Sequence, residues 1–446
     1  MLISASSESY AAISHGPVLG SLSDHGAAIW VRTDKPESLY LQLKNGSGEV
    51  EMEEKISTRE FDGNTYIFRL TGLRENSRYQ YTINSADNNL KGAFRTLKAV
   101  GSEVTTKIVF GSCYSQGLMK KEKGRIFEQI LKEKPDAVII LGDVPYSDDH
   151  NLAERRADHR VFRENPYFSK LAAAVPIYAI WDDHDYGTDN SDGDFNNKET
   201  SLKVFNEFWP NPENPARTDG GIYTSFVMNN IEVFLLDTRY FSRQSKISPT
   251  LLGEKQFSWL CDSLQASMAK YKILASGVPL ASTNVDGWGG EFFMAERERL
   301  FSCINDNQIS GVLMISGDFH RAEVHEFKLD GWLSANSIHD FTSSPFKSRI
   351  IKRKKWFENS LVYSYDKEDS LFSKLIFNAD TENTGIEYTL ISPQRGALKT
   401  LSISDKDLNI NKAFGDDENI LRLIVIGILS IIIFGALYRW RYMNKN

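Results

Sequence analysis

The sequence predicts an α/β protein in two folded parts with an apolar segment near its C-terminus. Three observations carry this. Residues 10–98 break into short strand-like runs separated by turn residues, residues 105–403 alternate apolar runs with helix-like segments, and residues 420–438 are apolar almost throughout. At 446 residues the chain is long enough for two or three domains with cores of their own. A hydrophobic fraction of 41% excludes a largely disordered chain. The net charge of −7 excludes a general nucleic-acid binder, which needs a basic face.

In the first part, GAAIWVRTD and SLYLQLKNG alternate partly between apolar and polar residues, and the second ends in an Asn-Gly turn signal. TYIFRLTGLRENSRYQYTIN follows, with aromatic and aliphatic residues at the spacing of inward-facing positions. So many strands in so short a stretch predict a β-sandwich over residues 10–98.

The texture changes at residue 105. KIVFGSC, DAVIILGD, VPIYAIWDDHD, IEVFLLDTR, YKILASGVP and GVLMISGDFH read as buried strands, with GRIFEQILKEK and GEKQFSWLCDSLQAS as helices between them. Polar residues follow directly on the apolar runs. In open α/β sheets, ligands bind beyond the carboxyl ends of the strands. Four such ends carry potential ligands: Cys113, Asp143, the Asp182–His184 cluster, and Asp318 with His320. YSYDKEDSLFSKLIF, EYTLIS and ALKTLSISDKD close this part as strands, and the polar residues 404–419 read as a linker.

ILRLIVIGILSIIIFGALY carries a single charge, Arg422, and is just long enough to cross a bilayer as a helix. Tyr438 and Trp440 fall where an interfacial aromatic belt belongs. The expectation is a single-pass C-terminal anchor over residues 420–438 with a basic tail, 439–446. Acidic GDDEN before it and basic RWRYMNK after it place the tail in the cytoplasm and the folded parts outside. MLISASSESYAAISHG has neither a basic n-region nor an adequate apolar h-region. Either a signal peptide is missing from this chain or the protein is tail-anchored and faces the cytosol; the first is favoured. Three cysteines are too few for a disulfide scaffold, and Cys261 and Cys303 read as small buried hydrophobes.

The chemistry lies at the strand ends. AIWDDHDYGTDNSDGD gathers carboxylates that repel one another unless water or a cation intervenes. Asp143 has Tyr146 three residues on; a carboxylate can bridge two cations, and a phenolate suits a hard ferric ion. Cys113 offers a thiolate, which suits iron or zinc. Asp318 and His320 offer a carboxylate and an imidazole, and His184 a proton donor. Singly, each has an ordinary reading: a packed Cys, a core Tyr, a Gly-Asp turn or helix cap. Their joint order on consecutive strand ends is what points to metal.

The order GSC, GDxxY, WDDHD, LDTR, GDxH closely resembles that of the PhoD-like alkaline phosphatases and phosphodiesterases, relatives of the purple acid phosphatases within the metallophosphoesterases. The resemblance covers roughly residues 10–400; DGWGGEFFMAERERL is a weaker match, and RLTGLRENSRYQYTI resembles the strand E–F corner of fibronectin type III-like domains. It implies a fibronectin type III-like β-sandwich followed by a metallophosphoesterase α/β sandwich. It implies Cys113 as a ligand of the first metal where ordinary metallophosphoesterases have Asp, Asp143 as the bridging ligand, and Tyr146 as a ferric phenolate ligand. Asp183 falls on a second-metal ligand, His184 on the His that contacts substrate and protonates the leaving group, and Asp318 and His320 complete the set. Arg239 falls where it can grip a phosphate, or equally where it pairs with a neighbouring carboxylate. The metals implied are Fe(3+) and Ca(2+), with other divalent ions as alternatives. The function implied is a membrane-anchored phosphoric ester hydrolase, acting on mono- or diesters, small or phospholipid, through water activated at a dinuclear centre. The alternative is a non-catalytic, membrane-tethered binding or adhesion protein on a degenerate hydrolase scaffold. One departure concerns Asp189 and Asn190, which stand in the reverse of the family's usual order.

Overall fold

A computed structural model describes residues 12–115, 125–329, 336–352, 359–367, 370–379, 384–408 and 410. Strands Ile13–Gly20, Ala27–Thr33 and Thr65–Leu70 form one antiparallel sheet, and Val50–Ser57, Ser38–Lys44, Arg78–Asn84 and Asn89–Arg95 a second. The two enclose a core of Ile29, Val31, Leu39, Leu41, Phe68 and Tyr79. Strand Ser38–Lys44 alternates in burial, as a strand with one wet face must. Ala27–Thr33 is buried nearly throughout, because its second face is covered by the rest of the chain. Trp30 points there, and its indole N–H donates to the Glu207 carbonyl at 2.7 Å. At the corner before strand Arg78–Asn84, the Tyr79 hydroxyl accepts from the Arg74 amide at 2.9 Å, which fixes the loop beside buried Leu73.

Beyond residue 105 two larger sheets stack face to face. The first, six-stranded, runs Ile177–Ile180, Ala137–Leu141, Thr106–Gly111, Phe372–Asn378, Gly385–Ser392, Gly396–Ser404. The second, seven-stranded, runs Thr224–Met228, Ile231–Leu235, Tyr271–Ser276, Val312–Ser316, Asn336–Thr342, Ala322–Leu329, Leu361–Tyr365. Phe341 stacks on Tyr388 and Tyr271 meets Phe377 across the sheet–sheet interface. The strands that precede Cys113, Asp143 and Asp182 are neighbours and parallel, so these residues emerge on one edge. Val312–Ser316, which precedes Asp318, is one of the parallel strands in the facing sheet. Helices Gly253–Ala266 and Met294–Asp306 cover the outer face of the seven-stranded sheet through Leu260, Leu264, Leu300 and Ile304.

Two expectations are corrected. Cys261 and Cys303 are not separate hydrophobes: they join in a disulfide that ties these two helices, with Cα atoms 6.3 Å apart. The helices lie side by side on one core, which brings together residues 42 apart in sequence. The single-pass anchor is not supported either. Among the described residues no helix is long and apolar enough to cross a membrane, and residues 411–446 lie outside those described.

Candidate metal centre

The backbone at the strand ends is unusual before any side chain is considered. Cys113, Asp143, Asp318 and His320 all have left-handed φ, between 50° and 63°. Such conformations are sparsely populated for non-glycine residues, cost on the order of 1–3 kcal/mol each, and cluster where function holds them. Gly142, with φ of 92°, explains the Gly-Asp order: a Cβ there would lie 2.4 Å from the Asp182 Cβ. The chain therefore turns back sharply after Leu141 and aims Asp143 inward.

The side chains converge on two groups of donors that share one carboxylate. Ligand atoms of Cys113, Asp143 and His320 lie within 4.8 Å of one another, and so do those of Asp143, Asp183 and His184. The Cys113 Sγ is 3.4 Å from Asp143 Oδ2. Tyr146 joins the first group, its hydroxyl 3.1 Å from His320 Nε2. The Tyr146 ring also lies against the His184 ring, with centroids 4.6 Å apart. Asp183 is fixed by backbone amides, His184 N–H at 2.9 Å on one oxygen and Asn190 N–H at 2.8 Å on the other.

The electrostatics are those of a site built to receive positive charge. Burial, then Asp183, pushes the Asp143 carboxyl up to about 8. Burial, then Asp143, raises the Cys113 thiol well above its ordinary value. Burial lowers His320 to about 4, helped by His184 and Arg349, so its imidazole is neutral and able to ligate. His184 runs the other way: burial lowers it, but Asp143, Asp183 and Asp148 outweigh burial and carry it to about 9. A cation among these groups relieves the carboxylates and the thiol together.

Asp318 lies outside the two donor groups. Its Oδ2 is buried without a hydrogen-bond partner among the described residues. Burial, then Asp286 and Asp182, raises it well above the usual carboxylate range. Its carbonyl oxygen lies 3.9 Å from the Cys113 Sγ.

Arg239 is buried against two carboxylates. Its side chain is 1% exposed and bonds Asp182 Oδ1 at 2.7 Å from Nε and 2.5 Å from Nη2, with Asp286 at 2.9 Å. Of the two readings open in the sequence, the geometry is that of a structural ion pair. Three separate motifs, WDDHD, LDTR and DGWGG, thus meet in one buried triad behind the donors. Sequence reasoning missed Asp286, and it missed Asp148, whose Oδ1 lies 2.6 Å from His184 Nδ1. The acidic loop after His184 is bonded to the segment following Arg239: Asp192 accepts from the Gln244 amide at 2.9 Å and the Gly193 amide donates to the Ser242 carbonyl at 2.8 Å.

Two stacked mixed sheets with donors gathered at the strand ends, one carboxylate shared between two groups, define a metallophosphatase-type α/β sandwich. The same architecture is found in the purple acid phosphatase PPD1 of yellow lupin (Lupinus luteus), with a TM-score of 0.65 at 12% identity, covering 89% of this chain and 75% of that one. A solved structure of PhoD matches with a TM-score of 0.68 at 18% identity, covering 88% and 93%. The chain belongs to the PhoD-like phosphatase family, whose model matches residues 108–384, more than half of its length. It is 26% identical over 320 residues to alkaline phosphatase D of Bacillus subtilis (strain 168). That match takes in 58% of this chain and 54% of the relative, so the chain spans about half the length of the curated relative it matches.

Proposed function

We propose that this protein is a metal-dependent hydrolase of phosphoric esters. The observation that carries the reading is Asp143, one carboxylate shared by two donor groups. Cys113, Tyr146, His320 and one Asp143 oxygen would hold the first ion; thiolate and phenolate donors suit Fe(3+). Asp143, Asp183 and further oxygens would hold the second, and such a carboxylate-rich set suits Ca(2+). Asp318 serves from behind, through its backbone position beside Cys113. Two ions at such a site supply Lewis acidity toward phosphoryl oxygens and lower the pKa of water to near neutrality.

The chain's own residues do the rest. The Asp143 carboxylate, common to both groups, would set the spacing of the two sites, and the Cys113 thiolate would serve the first alone. Asp183 is held by two backbone amides, so it costs little reorganisation when it binds. His184 presents an imidazolium beside the centre and gives a proton to the leaving oxygen. Arg239 neutralises Asp182 and Asp286 and so keeps the acidic backing of the centre folded.

The test is a screen of p-nitrophenyl phosphate and bis(p-nitrophenyl) phosphate with the metal-loaded protein and its Asp143→Asn variant. Hydrolysis of either ester by the parent, lost in the variant, supports the reading. A parent that binds metal and hydrolyses neither defeats it.

A further inference from the structure

Where the N-terminal sandwich meets the rest of the chain, two guanidiniums and an imidazole gather without an ion pair. Along strand Ala27–Thr33, Ile29 and Val31 enter the sandwich core, so Trp30 and Arg32 point the opposite way. His15, in the neighbouring strand Ile13–Gly20, is the cross-strand partner of Arg32. Ser14 joins the two: its Oγ lies 2.9 Å from Arg32 Nη1 and 2.9 Å from His15 Nδ1. Helix Leu152–Arg163 packs against that strand.

The helix carries Arg156, Arg160 and Arg163 at positions i, i+4 and i+7, which is one face. The outer two have partners. Arg156 Nε and Nη2 bond the Glu207 carboxylate at 2.8 and 2.6 Å. The Arg163 guanidinium lies over the Trp209 and Trp30 rings, 4.6 and 4.8 Å from their centroids, and Nη2 donates to the Phe208 carbonyl at 2.6 Å. Arg160, between them, makes no side-chain hydrogen bond or ion pair among the described residues. Arg32 has neutral partners alone, Ser14 and the Gly63 carbonyl at 3.2 Å. Asp34, the carboxylate that acts on Arg32, accepts instead from the Ala12 amide at 3.0 Å.

The repulsion within this group is visible in its members. Burial, then Arg160, pushes Arg32 down to about 10, and burial, then Arg32, Arg163 and Arg160, pushes His15 down to about 4. The helix C-terminus offsets about half a charge. What remains is a half-buried positive site in a chain whose net charge is −7.

We propose that Arg32, Arg160 and Ser14, with His15 beside them, form a binding site for a phosphate group, outside both donor groups of the metal centre. Two guanidiniums match the charge of a phosphate dianion and reach its tetrahedral oxygens, and the Ser14 hydroxyl gives a further donor. A carboxylate, with one charge, leaves one guanidinium unanswered. The bound group links strand Ile13–Gly20 to helix Leu152–Arg163 and so ties the sandwich to the part of the chain that holds the metal ligands. The site stands independently of the hydrolase reading, under which phosphate esters are also the substrate.

The experiment uses the full chain carrying Asp143→Asn, which disables the metal centre and any phosphate held there. Inorganic phosphate, phenyl phosphate and acetate are titrated into it by calorimetry at constant ionic strength, with and without Arg32→Gln or Arg160→Gln. The expected result is one phosphate group bound per chain, with acetate much weaker. Either arginine substitution weakens the phosphate Kd by about 10- to 100-fold. Tighter binding of phenyl phosphate assigns the site to esters, and tighter binding of inorganic phosphate assigns it to the free ion. Urea denaturation gives a second reading. Without phosphate, Arg160→Gln leaves the midpoint unchanged or raises it, because a repulsion is lost; with phosphate, the midpoint rises in the Asp143→Asn chain and not once Arg160→Gln is added. No phosphate bound at millimolar concentration, acetate bound as tightly, or a Kd unmoved by both arginine substitutions overturns the site. A midpoint lowered by Arg160→Gln without phosphate assigns Arg160 to the fold and overturns it as well.

Discussion

Replacing Arg239 by Met separates the two roles a buried arginine can have in such a centre. Its guanidinium lies 2.5 Å from Asp182 and 2.9 Å from Asp286, with both carboxylates 2% exposed or less. At an effective dielectric constant of about 20 and charge centres about 4 Å apart, each pair is worth about 4 kcal/mol of gross attraction. The net cost of removing one partner is smaller, because the desolvation of the arginine is recovered. What stays behind is two unpaired buried carboxylates, and breaking such a pair costs about 3–5 kcal/mol. With a urea m-value of about 3 kcal/mol per M, the midpoint falls by about 1–1.7 M. Met is close to Arg in length and apolar, so the loss reads charge rather than packing. Adding Asp286→Asn to Arg239→Met removes one stranded charge and restores part of the midpoint. The assay is urea denaturation followed by tryptophan fluorescence, with Trp181 close by, its indole bonded to Asp237 at 2.8 Å. An unchanged midpoint together with a raised KM for phosphate ester would refute the structural assignment and return Arg239 to the substrate.

Three other expectations follow from the same geometry. His184→Gln lowers kcat by about 10²–10⁴-fold and removes the basic limb of the pH–rate profile, which in the parent falls as pH rises toward about 9, where His184 loses its proton; bound cations move that limb downward. By linkage, the stability that His184 draws from Asp183 and Asp148 is complete below about 6.5 and is lost between there and about 9, so His184→Gln flattens the stability profile in that window. Metal affinity rises as pH approaches about 8, because Asp143 must give up its proton to ligate, and calorimetry in buffers of different ionisation enthalpy shows that proton released. Denatured without reductant, the protein exposes one titratable thiol, Cys113, and with reductant three; Cys261→Ser costs up to about 4 kcal/mol, the loop-entropy figure for a separation of 42 residues.

The strand ends were legible in the sequence because each donor follows directly on a run of buried β-branched and aliphatic residues. Gly142 before Asp143 and Gly317 before Asp318 marked turns that the structure makes. The partition of WDDHD was not legible. Asp182 and Asp183 are adjacent, yet Asp182 turns back to Arg239 while Asp183 faces the shared carboxylate, because the short helix Asp183–Tyr186 starts between them. Partners far apart in the chain were hidden for the same kind of reason. Asp182 meets Arg239 across 57 residues, and Asp148 meets His184 across 36, contacts that no local period announces. Cys261 and Cys303 sit on separate helices, and helical pattern alone gave no sign that their faces meet.

The most direct test of the central claim is elemental analysis of the protein and two variants, each purified without chelators. If Asp143 serves both donor groups, the parent carries two metal ions per chain, Cys113→Ala keeps only the ion on the Asp183 side, and Asp143→Ala loses both. A parent that stays metal-free after loading, or an Asp143→Ala variant that retains two ions, would contradict it.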